Sequence, residues 1–160
     1  MIEIKINNEE HILELLNNLS AQIENKSSLM RTIAGTMRSA VGQNFREGGR
    51  PAWQGLKYRK GTPLIKSGVL KNSIKDHYDN NTAIVGTNLK YAGIHQFGGI
   101  TKPHKIRPRY KKALAFNGNI MQSVNHPGSK IPARPFLKLT EQDEMDVMED
   151  IQDYFRNILK

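Results

Sequence analysis

Cysteine is absent from this sequence of 160 residues, which excludes a disulfide framework and any metal site built on thiolates. No apolar run approaches the roughly 20 residues that a helix needs to cross a bilayer. The first residues also lack the basic and apolar segments of a secretory signal. We therefore expect no contact with a membrane and a chain that folds and works in the cytoplasm.

Acidic residues are missing from one long segment, because residues 80–140 contain no aspartate and no glutamate. A metal-dependent nuclease needs carboxylates to hold its divalent ion, so this absence argues against such an enzyme centred there. The sequence also lacks the glycine motifs that bind nucleotide phosphates, a His-Glu-x-x-His motif and a nucleophile elbow. We predict that the chain is not an enzyme, has no catalytic residues and requires no cofactor.

Histidines are the remaining candidates for a metal site, and three of the five lie near predicted loops: His95, His104 and His126. They lack metal-ligand spacing and a nearby carboxylate, so we predict no metal site. We instead interpret His95 as a hydrogen-bonded histidine beside two packed aromatic rings, those of Tyr91 and Phe97.

Positive charge is concentrated in the middle of the chain, although the net charge of the whole is +9. Residues 61–138 hold 13 lysines and arginines against 2 acidic residues, whereas residues 139–160 hold 2 against 7. A basic segment can contact nucleic acid, and oppositely charged segments can also bring neighbouring subunits together. Surface lysines that only aid solubility are the third interpretation, so charge alone leaves the partner open.

The N-terminal part of the chain shows the periodicity of one strand and two helices. Isoleucines alternate with charged residues over 2–6, which predicts a short strand. Apolar residues then recur at helical spacing over 12–23 and again over 29–45. We expect Ser27 or Ser28 to cap the second helix, which ends at the following glycine pair. Its apolar stripe could hold a partner helix, but packing on the protein's own core is the interpretation we adopt.

Two features of the middle segment have a structural and a functional interpretation. Trp53, the only tryptophan, is interpreted as a core residue that closes a loop over the domain, with an interface anchor as the alternative. The stretch 91–99 holds three glycines among nine residues, so we predict neither a helix nor a strand there. Glycines beside aromatic residues indicate a tight backbone path against a packed ring.

A hairpin is predicted between these two features. Ser67 is expected to cap a short turn through Leu70. Strands are predicted over 73–78 and 83–87, and the Asp-Asn-Asn sequence between them is a turn signal, because these residues tolerate positive φ.

A dense basic segment with two prolines follows at 101–112, and its composition disfavours a central strand. We interpret it as an exposed loop or extended arm that contacts either another protein subunit or DNA. Protein contact is preferred, because Tyr110 is the one aromatic residue among the charges and offers little base stacking. The candidate residues of the arm are Lys102, Lys105, Arg107, Arg109, Lys111 and Lys112.

The C-terminal part begins with a hairpin signal, Asn117-Gly118, between strands predicted at 113–116 and 119–124. Residues 131–137 are predicted to be extended, because two prolines bar a helix. Arg134 either bonds to loop carbonyls or meets a neighbour's carboxylate, and we prefer the local role. Thr140 is expected to cap a last helix, whose acidic face carries Glu144, Asp146, Glu149, Asp150 and Asp153.

Four short motifs occur along this chain in a specific order. Phe45 ends the helical half and is followed by Trp53 and Leu56. A Leu-x-x-Ser-Gly-x-Leu-x-x-Ser-Ile segment then occupies 64–74, a Tyr-Ala-x-Ile-His-Gln-x-Gly segment 91–98, and an Ile-Pro-Ala-Arg-Pro-Phe-Leu segment 131–137. In these motifs the chain resembles the phage virion morphogenesis family over residues 10–158. The residues that carry the resemblance are Trp53, Ser67, Gly68, Leu70, Tyr91, His95, Gln96, Gly98, Pro132, Arg134, Pro135 and Phe136.

The resemblance implies a non-enzymatic structural or assembly protein that acts in tail completion or head–tail joining, at the head-proximal end of the tail. It implies other phage tail or neck proteins as partners and a homo-oligomer on assembly, such as a six-membered ring. It also implies a place in the host cytoplasm during assembly and then in the virion. The family defines no catalytic residues. The gap from Leu56 to Leu64 is shorter than in many members, so the role of that loop does not carry over.

A basic nucleic-acid-binding module is the alternative function, and an arm that lines a ring could also contact phage DNA in the lumen. For the fold we predict one α+β domain over residues 1–160. It has N-terminal helices, a small antiparallel sheet with a basic loop or hairpin arm, and a C-terminal helix packed on the sheet. Gly68 and Gly98 are interpreted as requirements of the backbone.

Overall fold

A computed structural model describes residues 9–57, 59–110, 112–116 and 118–159. The helices in these ranges are α1 Glu9–Glu24, α2 Ser27–Glu47, α3 Val69–Asn72, α4 Ala92–Phe97 and α5 Glu141–Ile158. The strands are β1 Lys75–Tyr78, β2 Ala83–Gly86, β3 Gly99–Ile100, β4 His104–Ile106, β5 Leu114–Phe116, β6 Asn119–Met121, β7 Val124–His126 and β8 Lys130–Ile131. The strand predicted at 2–6 lies outside the described residues.

The core forms around α2, because the small and apolar side chains of this helix lie on one face. The buried ones are Leu29, Ala34, Ala40, Val41 and Phe45. The centroid of the Phe45 ring lies 5.7 Å from that of Trp53 and 5.6 Å from that of Phe136. The predictions that this stripe packs on the core and that Trp53 is a core residue are confirmed.

The two ends of α2 are set by different contacts. The helix ends at the predicted glycine pair, where Gly48 adopts a left-handed φ of 75° and its N–H donates to the Asn44 carbonyl. The predicted serine caps are wrong, because Ser27 is already helical and Lys26 occupies the cap position without a side-chain bond. The Lys26 N–H donates instead to Oδ1 of Asn80, 2.7 Å away. A tertiary contact with the hairpin turn therefore replaces the serine cap.

β1 and β2 form the predicted antiparallel hairpin. Its predicted start at Ser73 is wrong, because Ser73 follows α3 and its hydroxyl donates to the Leu70 carbonyl at 2.7 Å. The turn is confirmed. The Asp79 carboxylate closes it by accepting from the N–H groups of Asn81 and Thr82, and these bonds, that from Asn81 foremost, lower the pKa of Asp79.

The short helix α3 begins at a glycine and not at the predicted serine cap. Gly68 holds the cap position with φ 70° and no side-chain bond, and the helix runs from Val69 to Asn72. This left-handed backbone confirms the predicted requirement for glycine at position 68.

The prediction that 91–99 is not helical is wrong, because residues 92–97 form α4. Contacts from a distant segment compensate for the glycine in this short helix. The Arg134 N–H donates to the His95 carbonyl at 2.7 Å, and the Gln96 side chain accepts from the Leu137 N–H at 3.1 Å. Tertiary hydrogen bonds thus override the weak local helix propensity.

The remaining strands form one long antiparallel hairpin, the basic arm (residues 99–131), in which β3 pairs with β8, β4 with β7 and β5 with β6. Three residues separate β3 from β4 and three separate β7 from β8, so these two ladders share one register. Seven residues lie between β4 and β5 but only two between β6 and β7. The outgoing side therefore carries five extra residues, and these fall in the basic stretch 107–113.

The extended-arm interpretation of the basic segment 101–112 is confirmed, because β4 pairs with β7 within it. One sequence prediction for this arm needs correction, since the strand predicted at 119–124 is divided between β6 and β7. Lys111 and Asn117 lie outside the described residues.

The C-terminal helix α5 begins as predicted. Thr140 caps it by accepting from the Asp143 N–H, and the Asp143 carboxylate accepts from the Thr140 N–H in return. α5 packs along α2, and the Thr36 hydroxyl donates to an Asp150 carboxylate oxygen at 2.6 Å. The predicted α+β class is confirmed, with N-terminal helices, small antiparallel sheets and a packed C-terminal helix.

Candidate functional site: a cationic cleft and a basic arm

Five of the motif residues line one cleft of about 220 Å³, the cationic cleft. Ser67 and Leu70 come from the start of α3, Tyr91 and His95 from α4 and the residue before it, and Arg134 from the segment after β8. The folding of α3, α4 and the 131–137 segment against one another thus joins three separate motifs. The lining is completed by Leu56, Arg59, Leu64 and Lys66.

Arg134 is the innermost cation of the cleft and is only 6% exposed. Its Nε donates to the Gln54 carbonyl at 3.0 Å and its Nη2 to the Gly55 carbonyl at 3.2 Å, which confirms the loop-carbonyl interpretation. The side chain thereby fastens the loop after Trp53 to the rest of the fold. Burial and then repulsion by Arg59 lower the pKa of Arg134, although a guanidinium stays protonated in proteins.

His95 lies beside Arg134 but not in the setting that the sequence suggests. Its ring meets the Tyr91 ring edge-on, with centroids 6.0 Å apart. Its buried Nδ1 has no hydrogen-bond partner among the described residues, so the prediction of a hydrogen-bonded histidine is wrong at this atom. Burial and then the Arg134 charge lower the pKa of His95.

The prediction that the two aromatic rings beside His95 are packed is also wrong. Phe97 is 81% exposed, and Tyr91 is exposed as well. Positions 95 and 97 lie about 200° apart around a helix of 3.6 residues per turn. α4 therefore turns His95 toward the cleft and Phe97 toward solvent.

Gly98 ends α4 where the backbone comes close to the 131–137 segment. It combines φ 73° with ψ 179°, a region that is essentially restricted to glycine. A Cβ here would lie 2.8 Å from the Ala133 nitrogen. The predicted backbone requirement is confirmed, because both conformation and space exclude a side chain.

The other motif residues support this segment from outside the cleft. Phe136 and Trp53 are buried in the core, and Pro132 and Pro135 are half-buried. Phe136 thus anchors in the core the segment that carries Arg134.

A buried polar cluster that the sequence analysis missed lies under α5. Arg50 donates to both carboxylate oxygens of Asp143, at 3.0 and 2.9 Å. It also donates to Oδ1 of Asn44, whose amide nitrogen bonds to the carbonyls of Phe136 and Lys138. Asp143 resembles its acidic neighbours in sequence, and the signal that distinguishes it is its position three residues after Thr140.

Competing influences act on the Asp143 carboxyl. Desolvation alone raises its pKa, but hydrogen bonds from Thr140 and Arg50 and the Arg50 charge together outweigh it, so the net pKa of Asp143 is lowered. The carboxylate is therefore charged in the folded protein at neutral pH. Through its bonds to Arg50 it joins the loop after α2 to the start of α5.

The basic arm carries the predicted interaction residues on its outgoing side, and those that the structure describes are all exposed: Lys102, Lys105, Arg107, Arg109 and Lys112. Arg109 lies over the Tyr110 ring, 5.4 Å from its centroid. The arm starts directly after α4 and returns directly before the Arg134 segment. The cationic cleft thus lies at the base of the arm.

The histidines do not form a metal site in the described part of the chain, where no group of three potential ligands occurs. His104 and His126 face each other across β4 and β7, with stacked rings 5.0 Å apart, whereas His95 lines the cleft. No helix within the described ranges has the length and apolar character to cross a bilayer.

Comparison with known proteins agrees with the order of the motifs. The model of the phage virion morphogenesis family matches residues 7–156. Over 160 residues, the whole of both chains, this chain is 50% identical to the Mu-like prophage FluMu G protein 2 of Haemophilus influenzae. No solved structure matches the chain. The resemblance carried by the four motifs is confirmed: this chain belongs to the phage virion morphogenesis family.

Proposed function

We propose that this chain is a non-enzymatic structural protein that completes the phage tail or joins it to the head. It acts at the head-proximal end of the tail as one subunit of a ring, for which six copies is the working number. Its other partners are neighbouring tail or neck proteins, and it assembles in the host cytoplasm and then belongs to the virion. Membership of the morphogenesis family and the identity with a Mu-like prophage G protein support this proposal.

The observation that carries the proposal is the exposed apolar surface of the basic arm. Tyr110 is 88% exposed and Ile120 is 82% exposed, and Ile100 at the base is exposed as well. A two-stranded hairpin is only marginally stable by itself, and exposed apolar groups beside polar ones are typical of protein interfaces. An arm of this composition is stabilised by a partner surface.

The charge distribution supports contact between copies of the chain. The described lysines and arginines of the arm are unpaired with carboxylates within the described residues, where the three ion pairs are Arg38–Asp76, Arg50–Asp143 and Arg156–Asp153. The outer face of α5 exposes acidic side chains. In a ring each subunit presents two different surfaces to its neighbours, and surfaces of opposite charge favour the correct register.

A nucleic-acid-binding module is the second candidate function, favoured by the exposed cations of the arm. Phosphate contacts need no base recognition, and Arg109 with Tyr110 offers one stacking platform. Protein contact remains the preferred function, because the aliphatic side chains of Ile100 and Ile120 give a duplex little to bind.

Complementation of a phage that lacks this chain tests the proposal. Lys105→Glu combined with Arg107→Glu reverses two charges of the arm, and we expect the yield of infectious virions to fall about tenfold or more, the effect of losing roughly 1.4 kcal/mol of contact. The matched control reverses two exposed lysines outside the arm, Lys71→Glu with Lys75→Glu, and keeps the yield.

The free energy of unfolding of both variants is expected to lie within about 0.5 kcal/mol of the wild-type value, because all four side chains are exposed. Electron microscopy of the arm-variant lysate is expected to show heads and tails that are not joined. A normal yield from the arm variant, or an equal loss from the control, would contradict a contact role for the arm.

A further inference from the structure

The cationic cleft contains three positively charged side chains and no carboxylate. Arg59, Lys66 and Arg134 line it together with His95. None of the ion pairs formed among the described residues involves these side chains. The part of the chain that carries His95 and Arg134 offers no acid nearby in sequence, because residues 80–140 contain none.

Arg134 shows that this charge is not merely a solvated surface. A buried cation is unfavourable unless an opposite charge or a full set of acceptors compensates it. Arg134 is only 6% exposed. Its side chain has two acceptors, the carbonyls of Gln54 and Gly55, and, within the described ranges, no carboxylate. The buried Nδ1 of His95 beside it has no hydrogen-bond partner among the described residues.

We propose that the cationic cleft is a carboxylate-binding site and that its occupant is an acidic side chain from α5 of a second copy of this chain. The proposal rests on the proposed assembly into a ring. It assigns to the 64–74, 91–98 and 131–137 motifs a shared role beyond holding the fold.

The lining of the cleft favours a carboxylate on a short aliphatic stem. A guanidinium presents donors in a planar fork that matches a carboxylate, and Lys66 and Arg59 lie at the exposed part of the cleft. Leu56 and Leu64 provide an apolar wall, against which the methylene groups of a glutamate pack. A duplex presents its phosphates on a broad convex surface, which does not reach a guanidinium recessed behind exposed side chains.

α5 is the occupant because its charge and position complement the cleft. Residues 139–160 hold 7 acidic against 2 basic residues, and Glu144, Asp146 and Glu149 are exposed on α5. No residue of α5 lines the cleft of its own chain. The two surfaces are thus separate, as a head-to-tail contact between identical subunits requires.

Anion binding is tested first by NMR of the whole protein, with acetate as the carboxylate probe and inorganic phosphate for comparison. Saturable shifts of the Arg134 Nε–H and the His95 ring are expected with acetate, together with a rise in the pKa of His95. Arg59→Ala with Lys66→Ala is expected to weaken acetate binding roughly fivefold, because two nearby charges are lost. Lys71→Ala, outside the cleft, is the control. Absence of saturable shifts, or equal binding by the double variant, would overturn the site.

The occupant is tested by cross-linking, which the absence of native cysteine makes selective. Lys66→Cys is combined in one chain with Cys at Glu144, Asp146 or Glu149 and treated with a short bis-maleimide, whose reach suits two long side chains better than a disulfide does. A head-to-tail contact predicts a ladder of multimers from at least one pair. Lys71→Cys combined with the same α5 positions is the control and gives none.

The outcomes separate this proposal from the proposed function. Acetate binding without a ladder from any pair would overturn α5 as the occupant, while the complementation experiment on the arm stands by itself. Duplex DNA that shifts the Arg134 and His95 signals and competes with acetate would also overturn it in favour of a phosphate. A ladder that disappears when Arg59→Glu is added would establish the contact.

Discussion

Replacing Asp143 with alanine is expected to lower the free energy of unfolding by about 4 kcal/mol, from removal of a buried ionic partner and of a helix cap. The Arg50 guanidinium makes two parallel bonds to this carboxylate, at 3.0 and 2.9 Å. The side chains are 15% and 5% exposed. The variant therefore leaves a buried positive charge without its anion.

The magnitude follows from the contacts that remain. Breaking one side of a buried ion pair costs about 3–5 kcal/mol, and the lower end applies, because Arg50 keeps its bonds to Asn44 and the Ala40 carbonyl. The lost bond from the Thr140 N–H adds roughly 1 kcal/mol, as for other helix caps. For a domain of this size each kcal/mol shifts Tm by about 2–4 °C, so the fall in Tm is about 8–16 °C.

Urea denaturation followed by circular dichroism measures this loss. The control is Asp153→Ala on the same helix, whose pair with Arg156 is exposed on both sides and contributes about 1 kcal/mol or less. Arg50→Met with Asp143→Leu is expected to be less destabilised than the two single losses added together. A loss below about 1 kcal/mol for Asp143→Ala would refute the assignment of a buried pair that joins the loop to α5.

Two further predictions concern the cleft and the base of the arm. Burial and the Arg134 charge lower the pKa of His95, so the unfolded chain binds the proton more readily. The free energy of unfolding is therefore at its full value above pH 6.5, the ordinary pKa of histidine, and falls as the pH drops below it. Urea titrations of His95→Gln are expected to show a smaller fall. Gly98→Ala is expected to cost about 3 kcal/mol in the same assay, from backbone strain and close approach together. Gly118→Ala, which also has positive φ but open space around it, is expected to cost about 1 kcal/mol.

Opposite results would locate the error in each case. A His95→Gln variant with an unchanged pH dependence would show that another group titrates in that window. Equal effects of the two glycine substitutions would show that the contact with the 131–137 segment does not constrain Gly98.

The helices that the sequence predicts well are those with a periodic apolar face and a local end signal. α2 shows both, in the stripe that ends at Phe45 and the glycine pair after it. α5 begins at Thr140, whose side chain and backbone satisfy the first turn locally. Such features depend on residues three or four positions apart, and the sequence displays them directly.

Periodicity does not say what a helical face packs on. α1 repeats apolar residues as regularly as α2 does, yet Ile12, Leu13 and Leu16 are exposed. The difference lies in the surroundings of the helix, since the partners of α2 come from elsewhere in the chain. An apolar stripe therefore predicts the helix itself better than it predicts the core.

The elements that sequence reasoning missed depend on contacts between distant residues. α4 is stabilised by hydrogen bonds to Arg134 and Leu137, and no pattern within 91–99 indicates these bonds. The Arg50–Asp143 pair spans 93 positions, so Asp143 resembles an ordinary member of an acidic face. The sequence shows the residues of the cationic cleft only as separate motifs, because the cleft forms where three segments meet in the folded chain.

Solution mass, measured by light scattering at low and moderate salt with and without duplex DNA, tests the central claim of self-association most directly. One discrete oligomer is expected to form without DNA and to be lost in the Arg59→Glu, Lys66→Glu variant. A monomer that binds DNA with a steep dependence on salt would contradict it and favour the nucleic-acid module. A wild-type chain that stays monomeric and does not bind DNA under any of these conditions would contradict self-association.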